Sequence, residues 1–233
     1  MTSYKAENPF QAILEAIKGR SNPISRSAWR KLRRHYAKRA EADFRMAADA
    51  LKPGDICLDL GANVGKFSTL LAEKGAEIHA FEPDPYAYKI LCSNVNKFKN
   101  VIPHNKAVGA SGGTLKLFRH KDFDKNPEHY SVATTVALGN VRTDIHEYGE
   151  VEVVDFFELI ESFGKPLQLV KMDIEGAEWD ILDRLFEANS WDNLRALYVE
   201  THEHLDTNRI DDVLRFRKLA DSVRTCDINL HWQ

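Results

Sequence analysis

Residues Asp59 to Gly65 read DLGANVG, and Phe81 to Pro85 read FEPDP. The first stretch joins a short apolar run to a helix-like one through two glycines, the pattern of a turn that lets a nucleotide-like ligand lie close to the main chain. Its spacing is Gly-x-x-x-Gly, not the Gly-x-Gly-x-x-Gly of dinucleotide-binding turns. Asp59 can orient such a turn, or meet an ammonium group through a charge-assisted bond. Glu82 ends the next apolar run, where a carboxylate accepts both hydroxyls of a ribose. A pyrophosphate would suit the helix start beside Gly65, but the turn is one glycine short and Asp59 precedes it. A cationic ligand that carries a ribose fits better, and S-adenosylmethionine is such a ligand. By itself the glycine pair is also an ordinary tight connection; Glu82 strengthens the ligand reading because both features point to one sheet edge.

A second group of chemical residues follows further along. Asp173 ends the apolar run LVKMD, and strand alternation sets Lys171 on the same side, an unusual charge in such a run. An ion pair holding the Ile174-Glu175-Gly176 turn explains Lys171 well. Asp173 is placed instead at a strand end that faces the ligand edge. Glu175 is equally suited to touching a substrate or to starting a helix, and Glu178 reads as mostly structural, since carboxylates are favoured at a helix start in any case. The run ETHEH puts Glu200, His202 and His204 on one side if the strand continues. A histidine titrating near neutrality is a good general base, and His202 is preferred over His204. Asp173, Glu175, His202 and His204 together offer oxygen and nitrogen ligands for a divalent ion. Because they are split between two strands without a fixed motif, this ranks second, and no metal is expected.

These residues need a scaffold, and the rest of the chain supplies one. Short apolar runs alternate with helical stretches after Pro53-Gly54. Strands are expected at Ile56 to Leu60, Ile78 to Phe81, Asn100 to Ile102, Thr114 to Phe118, Leu167 to Asp173 and Ala196 to Glu200. Helices are expected at Lys66 to Lys74, Tyr86 to Asn96, Ala177 to Ala188 and Ile210 to Ser222. Glu152 to Phe163 reads as a strand running into a helix, Asp227 to Trp232 as one more strand, and 119–149 as a loop holding His120, His129 and His146. Strands separated by helices make an α/β fold with a doubly wound, mostly parallel sheet. Residues 53–233 form this domain and residues 1–52 a helical extension. In the latter, Trp29, Leu32, Tyr36, Ala40, Phe44, Ala47 and Leu51 recur every three or four positions as one apolar stripe.

Composition narrows the setting. The 233 residues are 43% hydrophobic and 29% charged, enough to bury a core. Three cysteines without a CxxC pair, no apolar run long enough to span a bilayer and no signal-like start read as a cytoplasmic protein. The net charge of −3 conceals a basic segment: ten Lys/Arg between residues 18 and 45 face only Glu41 and Asp43. That stripe reads as a solvated helix face on an acidic body, so no nucleic-acid partner is expected. A base-amino methylation motif of Asn-Pro-Pro-Tyr type is also absent.

Taken together, DLGANVGKFS, FEPDP, NKAVGASGGTLKLF (Asn105 to Phe118), LVKMDIEGAEWDIL (Leu169 to Leu182) and ALYVETHEH (Ala196 to His204) resemble the FkbM family of S-adenosylmethionine-dependent methyltransferases. The resemblance implies a Rossmann-like class I methyltransferase fold, with O-methylation of a hydroxyl on a sugar or other secondary metabolite. The cofactor site expected is Asp59, Gly61, Asn63, Gly65, Glu82, Pro83, Ala107 and Asp173, and catalysis is expected of Asp173, His202 and Glu175 from their places at the strand ends and the helix start. The first 50 residues have no counterpart in that likeness, and the fold's closing hairpin looks curtailed. A dinucleotide-dependent oxidoreductase is the runner-up, disfavoured by the missing glycine and the lack of a Tyr-x-x-x-Lys pair. A non-catalytic S-adenosylmethionine-binding module is the other alternative. The expected partner is a small-molecule or glycan acceptor.

Overall fold

A computed structural model describes residues 6, 8–17, 23–120, 145–203 and 209–232. Two helices come first, α1 (Pro9–Ile17) and α2 (Pro23–Asp49). Then follow β1 (Ile56–Leu60), α3 (Lys66–Ala72), β2 (Glu77–Phe81), α4 (Pro85–Val95), β3 (Val101–His104), β4 (Ala107–Gly109), β5 (Gly113–His120) and β6 (Ile145–Asp155). The chain continues through α5 (Phe156–Ser162), β7 (Leu169–Met172), α6 (Glu178–Ala188), β8 (Ala196–Glu200), α7 (Ile210–Ala220) and β9 (Asp227–Trp232).

Six strands form one sheet in the order β3-β2-β1-β7-β8-β9, and every described pairing in it is parallel. The chain winds outward from β1 through β2 to β3, then returns to set β7 against the other side of β1. That reversal opens a crevice at the carboxyl ends of β1 and β7, where α/β sheets hold ligands. A smaller sheet, β4-β6-β5, pairs β4 parallel and β5 antiparallel to β6. The fold is therefore the expected α/β, doubly wound one. The last strand, β9, runs parallel to β8 as an edge rather than beginning a hairpin.

Strand alternation sorts the core into two layers. Leu58, Leu60, Val170, Met172, Leu197 and Val199 meet α5, α6 and α7 on one face. Cys57, Ile78, Ala80, Leu169 and Tyr198 meet α2, α3 and α4 on the other. Helix α2 belongs to this second layer: Phe44 packs edge-on to Tyr198 and tilted on Trp232, while Tyr36 meets His231. Its inward stripe is Ala28, Leu32, Tyr36, Ala40, Phe44 and Ala48, with α1 docking Leu14 near the front half. Ala48 replaces the expected Ala47 as the buried position, and Lys31, Arg34 and Lys38 are exposed. The side chain of Trp29 lies outside the described residues.

Two expectations change in the smaller sheet. Strand β6 begins at Ile145, inside the stretch expected to be loop, and β4 is an additional three-residue strand. Residues 121–144, with His129, lie outside the described residues.

Candidate active site

The turn after β1 is tied to both neighbouring strands. The backbone N–H groups of Gly61 and Ala62 donate to the Phe81 carbonyl at 3.0 and 2.8 Å, and Asp173 N–H donates to the Leu60 carbonyl at 2.9 Å. Gly61 has φ 75°, and a Cβ there would run into the carbonyl oxygen of Asp173, so only glycine allows the two strand ends to close up. Asn63, also left-handed at φ 49°, turns its N–H toward Glu82. Gly65 caps α3 and lies against Leu91 of α4.

Glu82 sits where β2 ends. Its Oε2 accepts from Asn63 N–H and its Oε1 from Asp84 N–H, each at 2.8 Å. Each oxygen keeps a further lone pair, and the residue borders the cavity described below. Burial pushes the carboxyl up to about 7, against the two backbone N–H bonds that favour its charge. Asn105 steadies the segment by donating to the carbonyls of Glu82 and Pro83.

Asp59 and Lys171 are opposite one another on β1 and β7 and face the α3 layer. Asp59 is fully buried; its Oδ2 accepts from Ser68 Oγ at 2.6 Å, and Oδ1 lies 3.5 Å from Lys171 Nζ. Lys171 donates to the Gly61 carbonyl at 2.7 Å and to Asp173 Oδ2 at 3.3 Å, with its ammonium 5.6 Å from the Phe67 ring centre. Burial alone would discharge this lysine, but Asp59 and Asp173 outweigh it and raise its pKa. The ammonium that Asp59 meets is thus the chain's own, and the pair braces the turn from beneath.

Beyond β7 the chain gathers carboxylates round one imidazole. Glu178 is fully buried at the start of α6 and accepts from the N–H groups of Gly176 and His202 and from His202 Nδ1, at 2.7, 2.9 and 3.0 Å. His202 Nε2 then lies 3.6 Å from Asp173 Oδ1 and 3.5 Å from Glu175 Oε2. Glu175 holds a left-handed backbone, φ 52°, and burial raises its carboxyl pKa despite the neighbouring imidazole. Burial opposes charging His202, but the Glu178 bond and the nearby Glu175 and Glu200 prevail and push it up to about 9.

A cavity of about 320 Å³ runs along this edge. Gly61, Asn63, Glu82, Pro83, Ala107, Asp173 and Glu175 border it, so seven of the residues singled out from the sequence are brought together. Three are not on its wall. Asp59 and Gly65 lie under and behind the turn, where the first is sealed by Ser68 and Lys171 and the second by Leu91. His202 stands behind Asp173 and Glu175, 3% exposed. The histidine expected as a base is therefore set back from the cavity, behind the two carboxylates that its Nε2 faces. His204 lies outside the described residues.

The sequence reading missed Glu178 as the group that fixes His202, and it missed the opposite wall. That wall is the β4–β5 connection, Gly109 to Gly113, whose small side chains leave the space open. Arg184 of α6 pins it by donating to the Ala110 carbonyl while stacking 3.9 Å from the Phe157 ring centre. The run Gly-Ala-Ser-Gly-Gly was the available signal. Asp180, in the first turn of α6, also borders the cavity.

The glycine turn, the strand-end carboxylate and the cavity thus meet at the switch point of a Rossmann-like sheet. Residues 59–222 match the methyltransferase FkbM domain. The chain belongs to this family of methyltransferases, and S-adenosylmethionine is its cofactor. It is 30% identical over 171 residues to methyltransferase sdnD of Sordaria araneosa, covering 63% of this chain and 66% of that one. It is 26% identical over 176 residues to 31-O-demethyl-FK506 methyltransferase FkbM of Streptomyces tacrolimicus, covering 66% and 67%. The chain thus spans about two thirds of the length of these curated relatives. Among solved structures, a putative rRNA-methylase from Clostridium thermocellum is similar at a TM-score of 0.41 and 13% identity, over 77% of this chain and 79% of that one. Among the described residues, no helix is long and apolar enough to cross a membrane.

Proposed function

We propose that the protein transfers a methyl group from S-adenosylmethionine to a hydroxyl oxygen of a sugar or other secondary metabolite. One observation carries this reading: Glu82 and Asp173 border the same cavity from opposite sides of the Gly61 turn. Glu82 would hold the ribose hydroxyls on the lone pairs its backbone donors leave unused, and Gly61 and Asn63 would lie along the cofactor. When bound, the cofactor supplies a sulfonium-activated methyl group, whose bond to sulfur breaks as the bond to the acceptor oxygen forms. The hydroxyl proton must leave in the same step, and the Asp173 carboxylate, which borders the cavity, would take it, leaving a methyl ether and S-adenosylhomocysteine. The name of the Streptomyces relative, which describes methylation at an oxygen, supports the choice of a hydroxyl acceptor.

Turnover measured on an accepted hydroxyl substrate tests this. Asp173→Asn should lower kcat by about 10²–10⁴-fold, the usual contribution of a positioned base, with affinity for S-adenosylhomocysteine little changed. Full turnover in that variant would remove Asp173 from the chemistry.

A further inference from the structure

We propose that Asp173, Glu175 and His202 form a divalent-cation site on the cavity wall. The inference deepens the hydroxyl-methylation reading and rests on it for the role of the ion. One ligand atom from each residue lies within 4.8 Å of the other two. The distances from Nε2, 3.6 Å to Asp173 Oδ1 and 3.5 Å to Glu175 Oε2, are close to the separation of about 3.4 Å expected when two such atoms bind one tetrahedral ion at about 2.1 Å.

The surroundings match a metal centre more closely than a surface ion pair. The other ring nitrogen, Nδ1, is bonded to Glu178 Oε1 at 3.0 Å. A carboxylate on the far nitrogen fixes the ring orientation and tautomer, the usual outer support of a metal-binding histidine. Glu178 is itself held by two backbone N–H groups, so the ring cannot swing away. Four carboxylates, Asp59, Asp173, Glu175 and Glu178, are packed around a single lysine and this imidazole. Lys171 is engaged with Asp59, Asp173 and the Gly61 carbonyl, while Glu175 and Glu178 lie against the imidazole, one at each ring nitrogen.

The open coordination positions of an ion held there would face the cavity, because Asp173 and Glu175 border it while His202 lies behind them. Two carboxylate oxygens and one imidazole suit Mn²⁺ or Zn²⁺. An acceptor hydroxyl bound to such an ion loses its proton more readily, so that a carboxylate suffices as the proton acceptor. The conclusion that the three residues only brace the turn as an ion-pair cluster makes the opposite forecast for metal binding.

The test is a titration of chelator-treated, desalted full-length protein with Mn(II), followed by loss of the free-ion electron paramagnetic resonance signal. The expected result is one saturable site per chain, weakened at least tenfold in Glu175→Gln and in His202→Gln, and by about ten- to a hundredfold in Glu178→Gln. Glu175 is partly exposed and its glutamine variant is isosteric, so that variant should stay folded, which its melting temperature checks. Absence of a saturable site, or equal affinity in Glu175→Gln and the parent protein, would overturn the proposal. S-adenosylhomocysteine binding in the presence of chelator is measured alongside. If it persists while Mn(II) does not bind, the metal site fails and the cofactor site stands; if Mn(II) binds and S-adenosylhomocysteine does not, the reverse holds.

Discussion

Glu82 shows how one residue can be read two ways until its neighbours are known. Its place at the end of β2 suggests a ribose ligand, yet both oxygens already accept backbone N–H bonds at 2.8 Å. Those bonds aim the carboxylate, and the remaining lone pairs are what a diol would use. Because burial lifts its pKa to about 7, a ribose held on the ionised carboxylate would make loss of that proton part of binding. The raised value also means that its contribution to the stability of the empty protein is fully present in acid and is lost as pH rises through about 7. Ligand affinity runs the other way. S-adenosylhomocysteine should bind about tenfold more tightly at pH 8 than at pH 6, the response of one carboxylate that must lose its proton. Calorimetry at the two pH values checks this, and Glu82→Gln should flatten the difference. The same close reading explains what the sequence hid. Glu178 looked like a carboxylate favoured by any helix start, and nothing in its spacing shows that it is fully buried on His202. Nor does the polar composition of Thr201, His202 and Glu203 show that all three are buried.

Elements rich in periodic apolar residues were legible, and short or half-exposed ones were not. The strands β1, β7 and β8 are mainly apolar, each broken by one charged residue, and β2 buries Ile78, Ala80 and Phe81, because both faces of the main sheet are covered. Strand β6 escaped notice because its first half, Ile-His-Glu-Tyr-Gly, mixes polar residues with a glycine, and β4 is only three residues long. Helix α2 was visible from its 3.6-residue stripe, although its partner was not. The structure supplies that partner: Phe44 packs among Phe67, Tyr198 and Trp232. Phe44→Ala should therefore cost about 3–5 kcal/mol of unfolding free energy, the range for truncating a buried aromatic, and denaturant melts would measure it. An effect below about 1 kcal/mol would mean that α2 does not contribute to this core in solution.

At the scale of the molecule, charge and cavity are separable. Among the described residues, none of α2 borders the cavity, and its exposed cations Lys31, Arg34 and Lys38 belong to a basic segment on an otherwise acidic chain. Reversing those three to Glu should leave S-adenosylhomocysteine affinity within about twofold, since exposed charges act weakly over distance in physiological salt. A large loss in that titration would tie the basic face to the site. The cofactor edge, by contrast, depends on the order β2-β1-β7, which brings the Gly61 turn, Glu82 and Asp173 together from segments far apart in the chain. Each of those residues could be placed at a strand end from sequence, because strand ends are marked by glycine and acidic residues after apolar runs. The opposite wall and the histidine support come from the smaller sheet and from α6, whose docking no local pattern records.

The most direct test of the account is a calorimetric titration of S-adenosylhomocysteine, with NAD in parallel, into the parent protein and Glu82→Ala. One site per chain is predicted for S-adenosylhomocysteine and none for NAD. Glu82→Ala should weaken the former by at least the ~1 kcal/mol expected for lost ribose hydrogen bonds, about fivefold. Binding of NAD with no response to S-adenosylhomocysteine, or unchanged affinity in Glu82→Ala, would contradict it.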